Sequence, residues 1–351
     1  MNVAAAIRWR LRLDVQRFLV LTNLLDRQRR DLGIECVALI GMPILMDAFI
    51  PLTKLLRPDA AWFVRQRELV PEPPERVWRA LTDPAELAQW WCERAEVDLR
   101  EGGMWAFGGR FTYGDDPSVD RSAFRILSVE ENARLEFIWP LRGIETCVTI
   151  ELAAVMDETE VVATQTAEAP PPWAPAEGSH HWWSVALPGL RAYFESGAPA
   201  LRPDYPALRA AAAPAYQVKI GTFPWMVWRK LTEPAELNRW LARRAQVDLR
   251  PGGVYDLGSA RGFGSRTVLA VEPERLLVHD WHEPGQPAGK IAWSIAEGDM
   301  ETIVTLTDQG PRAADETEAA RDARIFRWLG AVLHLKQMSE RGITPREYQE
   351  G

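Results

Sequence analysis

Cysteine and histidine are scarce in this sequence. Its 351 residues include three cysteines, Cys36, Cys92 and Cys147, and five histidines. The cysteines are odd in number and far apart, so they indicate neither a disulfide framework nor the C-x-x-C spacing of a metal or redox site. A reducing cytoplasm is therefore the expected compartment, and the sequence predicts no metal and no cofactor.

An excess of positive charge is also missing. The chain has 41 Lys and Arg against 49 Asp and Glu, which gives a formal net charge of −8 at pH 7. Nucleic-acid binding depends on clustered cations that displace counterions from phosphates. Because the repeated part of the chain has no basic stripe, we expect no nucleic-acid partner.

Long apolar runs are missing as well. The uncharged run 36–46 contains Pro43 and falls well short of the ~20 residues of a spanning helix. Residues 1–31 are basic and have apolar positions at helical spacing, which predicts an amphipathic helix packed on the main body or, alternatively, lying on a membrane surface. We therefore treat 1–60 as an N-terminal helical extension, with a translation start at Met46 as a further alternative.

The strongest pattern is an internal repeat. The segment 78–103, WRALTDPAELAQWWCERAEVDLREGG, returns at 228–253 as WRKLTEPAELNRWLARRAQVDLRPGG, with 17 of 26 positions identical. Solenoid units repeat at about 20 to 50 residues, so this long period indicates two copies of a whole domain. The predicted division is 1–60, then a first domain at 61–197, a linker at 198–214, a second domain at 215–343 and a tail at 344–351.

Both copies predict the same order of elements. One strand is followed by two short helices, six further strands and a long terminal helix. Asp83, Pro84 and Glu86 predict a capped second helix with a capping box, and the diglycine pairs 102–103 and 252–253 predict a hairpin turn. An antiparallel sheet must bury one face, and the terminal helix is the only element long enough to cover it.

The combination of VWRALTDPAELAQWW, the VDLREGG hairpin and a terminal helix with tryptophan resembles a known family. This is the heat-shock-protein-90 ATPase activator homologue family of the START-like, or SRPBCC, superfamily. The resemblance covers about 62–197 and 216–342 and implies an α+β fold of two tandem helix-grip domains. In each, a curved antiparallel sheet would wrap around a long C-terminal helix and enclose an apolar cavity, in which superfamily members bind hydrophobic small molecules.

The candidate ligand-binding residues of such cavities are aromatic residues at the alternate strand positions that face the interior, near the strands, and on the covering helix. They are Trp90, Trp91, Phe107, Phe124, Phe137, Trp139 and Trp183 in the first copy, and Trp240, Tyr255, Trp281, Trp293 and Trp328 in the second, with His334 as a polar candidate. Each could instead be an ordinary core residue. Since Leu241 and Leu257 replace Trp91 and Phe107 in the second copy, two open cavities would prefer different ligands.

Chemical motifs are weak. His279 and His282 form the densest polar cluster, but strand alternation places them on opposite faces, so we expect a structural role rather than a zinc site. His180 and His181 begin the first terminal helix, and the face they occupy stays open. Asp98 and Asp248, with Arg100 and Arg250, are expected to face solvent. No phosphate-binding loop and no nucleophile elbow is present, and we assign no catalytic residue.

Three functional hypotheses remain. The first is non-catalytic binding of a hydrophobic small molecule in a cavity between the sheet and the C-terminal helix. The second is a co-chaperone-like interaction module that stimulates a chaperone ATPase, although residues 1–59 do not resemble the N-terminal domain of the eukaryotic co-chaperones. The third is an enzyme of cyclase or hydrolase type acting on a polyketide-like or ester substrate, for which His334 or His282 would be substituted first.

Overall fold

The structure is a computed structural model, and it describes residues 62–114, 120, 123–169, 182–259, 263–283, 286–310 and 316–342. The predicted N-terminal extension 1–60, the pair His180 and His181, and the tail 344–351 lie outside these residues. Within the described ranges, no helix is both long and apolar enough to cross a bilayer.

The first copy has the predicted order of elements, counted over its described residues. They are β1 (Trp62–Val70), α1 (Pro74–Thr82), α2 (Pro84–Trp90), β2 (Arg94–Val97), β3 (Trp105–Gly108), β4 (Ile126–Glu130), β5 (Arg134–Leu141), β6 (Ile144–Val155), β7 (Glu158–Ala167) and α3 (Trp182–Ser196).

The second copy repeats this order after an additional short helix. Its elements are α4 (Tyr205–Ala210), β8 (Ala215–Ile220), α5 (Pro224–Thr232), α6 (Pro234–Trp240), β9 (Gln246–Val247), β10 (Tyr255–Asp256), β11 (Val268–Glu272), β12 (Leu276–Trp281), β13 (Gly289–Glu297), β14 (Thr302–Asp308) and α7 (Glu318–Arg341). Helix α4 lies inside the segment predicted as a linker.

In the described residues, each copy contains one five-stranded antiparallel sheet and a separate two-stranded ribbon. The strand orders are β1-β7-β6-β5-β4 and β8-β14-β13-β12-β11, and the ribbons are β2-β3 and β9-β10. Isolated bridges, Met104 to Arg125 and Val254 to Thr267, connect each ribbon to its sheet. The long helix packs against the first strand of each copy, α3 on β1 and α7 on β8, so the mixed α+β fold of two tandem helix-grip domains is confirmed.

The hairpin turn explains why the diglycine pair occurs in both copies. A Cβ atom on Gly103 would lie 2.1 Å from the carbonyl oxygen of Asp98, and one on Gly253 would lie 2.2 Å from that of Asp248. The preceding glycine of each pair has a positive φ, 72° in the first copy and 79° in the second. One position therefore has no room for a side chain, and the other has a backbone conformation that favours glycine.

The predicted cap at Asp83 is confirmed, whereas the predicted capping box is wrong. Asp83 Oδ1 accepts from the amides of Ala85, at 2.7 Å, and Glu86, at 3.2 Å. The Glu86 carboxylate accepts instead from Arg76, at 2.6 Å, and Arg79, at 2.7 Å. Because α1 brings both guanidinium groups next to Glu86, a charge-assisted pair replaces the bond to the backbone.

The acidic residues before the diglycine turns form surface ion pairs. Asp98 pairs with Arg100 at 2.8 Å, and Asp248 pairs with Arg250 at 2.7 Å. Both arginine side chains are at least 70% exposed. The expected solvent-facing role of these four residues is confirmed, and exposed pairs of this kind contribute little to stability.

A buried carboxylate on α7 joins the two copies. Asp322 is 2% exposed, and it accepts hydrogen bonds from the Tyr113 hydroxyl at 3.0 Å, Arg142 Nη1 at 2.6 Å and Arg209 Nε at 2.8 Å. Tyr113 and Arg142 belong to the first copy, and Arg209 belongs to α4. We call these four residues the Asp322 junction, because three parts of the chain meet there.

A second buried carboxylate also joins the copies, and this one belongs to the first copy while its partner belongs to the second. Glu68, on β1, pairs with Arg341 Nη1 of α7 at 3.1 Å. Burial raises the pKa of Glu68, and the nearby Arg341 partly offsets this effect. The two copies are therefore held in one arrangement by hydrogen-bonded charges as well as by the packing of α3 on α7.

Candidate functional site

All seven residues predicted to line a cavity in the first copy lie in one aromatic cluster. The cluster consists of Trp90, Trp91, Phe107, Phe124, Phe137, Trp139 and Trp183, all of them buried. Its ring-centroid distances run from 4.6 Å for Trp91 and Phe107 to 6.5 Å for Phe107 and Phe137. The rings therefore touch one another across the space between the sheet and α3.

Sequence reasoning did not name several further rings that contact this cluster as candidates, among them Trp105, Trp182 and Tyr113. The Trp105 ring lies 4.3 Å from that of Phe137, and its indole N–H donates to the carbonyl of Leu81 at 2.9 Å. Trp182 stacks on Tyr113 at 5.1 Å. Strand alternation could have identified Trp105, because it has the same parity as Phe107.

A buried glutamine provides the polar centre of the cluster. Gln165 Oε1 accepts from the indole N–H groups of Trp182, at 2.7 Å, and Trp183, at 2.8 Å. Its amide nitrogen donates to the Thr146 hydroxyl at 2.6 Å, and that hydroxyl donates to the carbonyl of Trp139 at 2.8 Å. These groups already have hydrogen-bond partners, so they favour a structural role over acid–base chemistry.

The second copy anchors its terminal helix in the same way, with a different acceptor. Trp328 Nε1 donates to Asp308 Oδ2 at 3.1 Å. Asp308 and Gln165 occupy equivalent positions in the two copies, because each lies six residues after a threonine, Thr302 and Thr159. Each threonine hydroxyl donates to a backbone carbonyl in the loop that follows the first strand of its copy. Burial raises the pKa of Asp308. A neutral amide in one copy thus corresponds to a carboxyl group in the other.

The remaining candidates of the second copy lie around His279 and Trp281. Trp293 Nε1 donates to His279 Nε2 at 3.2 Å, the Tyr255 ring stacks on the His279 ring at 4.8 Å, and the Trp240 ring lies 6.3 Å from that of Trp293. The half-buried Trp281 lies 4.7 Å from Trp328, measured between ring centroids.

His334 is half-buried on α7, between the buried Leu333 and Leu335. Its role as a polar group of the site stays a prediction.

His279 has the expected structural role. Its Nδ1 donates to the carbonyl oxygen of Asp280 at 2.8 Å, while Nε2 accepts from Trp293, so the neutral ring uses both nitrogens. His282 bonds to the carboxylate of Asp280 at 2.8 Å. Within the described residues, no group of three or more His, Cys, Asp or Glu side chains is arranged to hold a metal ion.

The buried imidazole should make stability depend on pH. Burial lowers the pKa of His279 from 6.5 to about 4, so the unfolded chain binds more protons between these values and stability falls as pH falls. We expect the free energy of unfolding to lose about 2 kcal/mol between pH 7 and pH 5 through this group. Urea titrations of His279→Gln should show a smaller loss than those of the natural protein, and an equal loss would contradict the assignment.

A narrow cleft of about 20 Å³ opens beside the aromatic cluster. Trp90, Trp91 and Trp139 line it together with Tyr113 and Trp182. Its volume is that of about one water molecule, whereas sites for small organic ligands measure about 300–1,000 Å³. As the described residues are arranged, this cleft is therefore too small for an organic ligand.

Residues 199–205, which we call the strap, cover this cleft. Arg202 Nη2 donates to the carbonyl oxygens of Ala88, at 2.7 Å, and Cys92, at 2.5 Å. The guanidinium carbon of Arg202 lies 4.1 Å from the ring centroid of Phe111. The Tyr205 amide donates to the carbonyl of Arg110 at 3.0 Å. The strap is thus held by hydrogen bonds to backbone carbonyls, by a cation–π contact and by the ion pair of Asp204 with Arg110.

A much larger groove, of about 1040 Å³, lies between the strap, α3, β8 and α7. Small and apolar residues such as Ala198, Ala207 and Leu208 form one wall, and β8 forms another. This groove is open to solvent, and it was not predicted from the sequence.

Comparisons with known proteins place both copies in one group. The family model described as "Activator of Hsp90 ATPase homolog 1-like protein" matches residues 71–195 and 222–337. The search of curated proteins found no match.

Three solved structures illustrate the likeness. DynU16, from the dynemicin biosynthetic locus, is 20% identical and has a TM-score of 0.33, over 80% of this chain and 98% of its own. The Aha1 dimer of Colwellia psychrerythraea is 18% identical and has a TM-score of 0.32, over 37% of this chain and 97% of its own. PFC0360w, an HSP90 activator from Plasmodium falciparum, is 19% identical and has a TM-score of 0.25, over 31% of this chain and 75% of its own.

Proposed function

The chain belongs to the family of activator of Hsp90 ATPase homolog 1-like proteins, and from this membership we propose that it is a non-catalytic binding module. Its ligand is a hydrophobic small molecule that binds in the first copy, between the sheet and α3. The observation that carries the proposal is the aromatic cleft beneath the strap, because its walls are apolar and its cover is a short segment of the chain.

The chemistry of the walls supports an apolar ligand. The polar atoms of Gln165 and Thr146 are engaged in hydrogen bonds within the cluster. A ligand would therefore gain affinity mainly from the removal of apolar surface from water, about 25 cal/mol per Å² before the costs of ordering.

Binding requires the strap to move. The closed cleft holds about 20 Å³, so a ligand must displace Leu201, Pro203 and Tyr205 from its mouth. Arg202 provides a polar contact there, since its Nε is buried and has no hydrogen-bond partner among the described residues. An oxygen atom of the ligand would accept a hydrogen bond from this group and so set the orientation of the ligand.

Native mass spectrometry tests this proposal. The protein is purified, incubated with a lipid extract of the expression host, and its native mass is compared with its denatured mass. We expect a mass excess that disappears on denaturation and that Ala186→Phe, which fills the cleft, removes. Ala85→Phe places the same side chain on an exposed position of α2 and should keep the excess. A native mass equal to that of the polypeptide would overturn the proposal.

A second candidate function is co-chaperone-like stimulation of a chaperone ATPase. The open groove favours it, because the groove has the volume of a docking site while the cleft does not. A chaperone of the Hsp90 type would then be the protein partner. An unchanged ATPase rate of such a chaperone after addition of this protein would eliminate the candidate.

We also propose a cytoplasmic location, as the cysteine content predicts. The two described cysteines, Cys92 and Cys147, form no disulfide within the described part of the chain, which supports a reducing compartment.

A further inference from the structure

The second copy leaves one edge of its large sheet open toward the groove. Strand β8 ends the order of this sheet in the described part of the chain. The amide of Asp308 donates to the carbonyl of Pro214 at 3.0 Å, so these two residues form a hydrogen-bonded pair. Because such pairs recur at every second residue, the even-numbered residues of β8 are the ones that bond to β14. In an antiparallel ladder the alternate residues face away. Ala215, Gln217 and Lys219 therefore direct their N–H and C=O groups outward.

The groove lies on this outward side. Residues 215–219 form part of its lining. At the end of the edge, Lys336 Nζ donates to the carbonyl of Lys219 at 2.8 Å, and the amide of Gly221 donates to Glu340 at 2.7 Å. Helix α7 thus caps the last part of the edge, and it leaves the backbone groups of Ala215 and Gln217 and the amide of Lys219 facing the groove.

The first copy provides an internal comparison. Its edge strand β1 has the same cap, because Arg191 donates to the carbonyl of Leu69 as Lys336 does to that of Lys219. At the positions of Ala215 and Gln217, however, β1 has Arg65 and Arg67. Charged side chains on an edge strand discourage pairing with another strand. The β1 edge is protected in this way, whereas β8 has its one charged side chain, Lys219, at the end that α7 caps, and the part from Ala215 to Gln217 has none.

The charged side chains around the groove are already paired, except that of Arg202, which donates to backbone carbonyls. Lys219 pairs with Glu301 at 2.6 Å, Lys336 pairs with Glu340 at 2.6 Å, and Glu195 pairs with Arg191. A partner recognised by its charge would have to break these contacts. The opposite wall consists largely of alanine side chains, which leave room for small or β-branched side chains. The groove therefore suits an uncharged segment.

We propose that an extended, uncharged polypeptide segment binds in the groove by adding a strand to β8. Its backbone pairs with the outward groups of Ala215 and Gln217 and with the amide of Lys219. Its side chains pack on the opposite wall, which includes Ala198 and Ala207. Strand addition at an open sheet edge is a recurrent mode of peptide recognition. Three outward residues accept a segment of about five residues. This proposal does not rest on the small-molecule proposal, although the groove and the cleft share the strap residues Leu201, Arg202 and Pro203.

A capped peptide with the sequence of residues 302–307, TIVTLT, is the probe. This is the strand that already pairs with the inner edge of β8, so its alternation of side chains suits an antiparallel neighbour. Fluorescence anisotropy of the labelled peptide should show saturable binding to the natural protein. Absence of saturable binding would overturn the proposal.

Backbone variants distinguish strand addition from general adhesion. Gln217→Pro removes an outward amide without removing a bond to β14, and should weaken binding about tenfold or more. Gln217→Ala keeps the backbone and should bind nearly as the natural protein does. The double variant Ala215→Arg with Gln217→Arg introduces the arginines of β1 and should also prevent binding. Equal affinity of Gln217→Pro and the natural protein would contradict the proposal.

A modified peptide gives a test that does not depend on folding of the variants. The same peptide with N-methyl groups on alternate amides cannot donate along one of its edges. Of the two possible N-methyl patterns, one should abolish binding to the natural protein and the other should preserve it. Equal binding of both patterns would show that the peptide does not pair as a strand.

Discussion

Replacing Asp322 with alanine is expected to lower the free energy of unfolding by about 3–5 kcal/mol. The carboxylate is almost completely buried and receives hydrogen bonds from Tyr113, Arg142 and Arg209. Without it, the Arg209 guanidinium, which is 22% exposed, loses its counter-charge, and the 15% exposed guanidinium of Arg142 keeps only the exposed carboxylate of Glu318. Removing one partner of a buried charged network leaves the others desolvated and unpaired, and this is the main cost.

Urea titration measures the effect, with Asp322→Asn as the matched control. Asparagine keeps the shape of the side chain and one acceptor oxygen. Asp322→Asn should therefore lower the free energy of unfolding less than Asp322→Ala does, but still measurably. Limited proteolysis of the strap should accelerate in Asp322→Ala, because Arg209 then no longer holds α4 against α7. A loss below about 1 kcal/mol would show that water replaces the carboxylate and that the junction is not buried in solution.

Replacing Trp183 with alanine is expected to lower the free energy of unfolding by about 3–5 kcal/mol. Its side chain is completely buried, and its ring lies within 6 Å of the rings of Trp91 and Trp139. The substitution leaves a cavity that the sheet and α3 cannot close completely. Trp183→Phe keeps most of the volume and removes the bond to Gln165, which still accepts from Trp182. Trp183→Phe should therefore lower the free energy of unfolding less than Trp183→Ala does.

The second copy supplies the comparison for this prediction. Trp328→Ala also removes a buried ring, and it leaves the carboxyl group of Asp308 without its indole donor. We expect a loss at least as large as for Trp183→Ala, because hydrogen bonds to charged groups contribute more than neutral ones.

The same pair of variants bears on the ligand site. Unchanged ligand binding in a folded Trp183→Ala protein would remove Trp183 from the proposed site in the first copy, and Trp328→Ala, in the second copy, serves as the comparison. A Trp183→Ala protein of normal stability would show that this ring lines an open cavity rather than a packed core.

Much of the fold followed from local patterns. The diglycine turn could be recognised because close approach to the carbonyl of Asp98 excludes a side chain wherever this turn occurs. The cap at Asp83 could be recognised because it involves only the next three residues. The capping box failed, since the choice of Glu86 between the backbone and the arginines of α1 depends on the angle between two helices.

The candidate site was predicted less completely. Strand parity brought Phe107, Phe137 and Trp139 together, because alternate residues of a strand share a face. Parity does not reveal whether the assembled rings leave a cavity between them. Asp322 also had a signal that was not used, since it precedes Ile325, Phe326 and Leu329 at helical spacing and so lies on the buried face of α7.

The sequence by itself determined the duplication, the order of elements in each copy and the residues that face the interior. These features depend on contacts between residues close in the chain, or on the repeat itself. Only the tertiary structure decided that the strap covers the aromatic cleft, that Asp322 joins the copies and that β8 has an open edge among the described residues. The physical reason is that these features depend on how distant segments fill space and satisfy each other's hydrogen bonds, and a local pattern of residue types does not specify that.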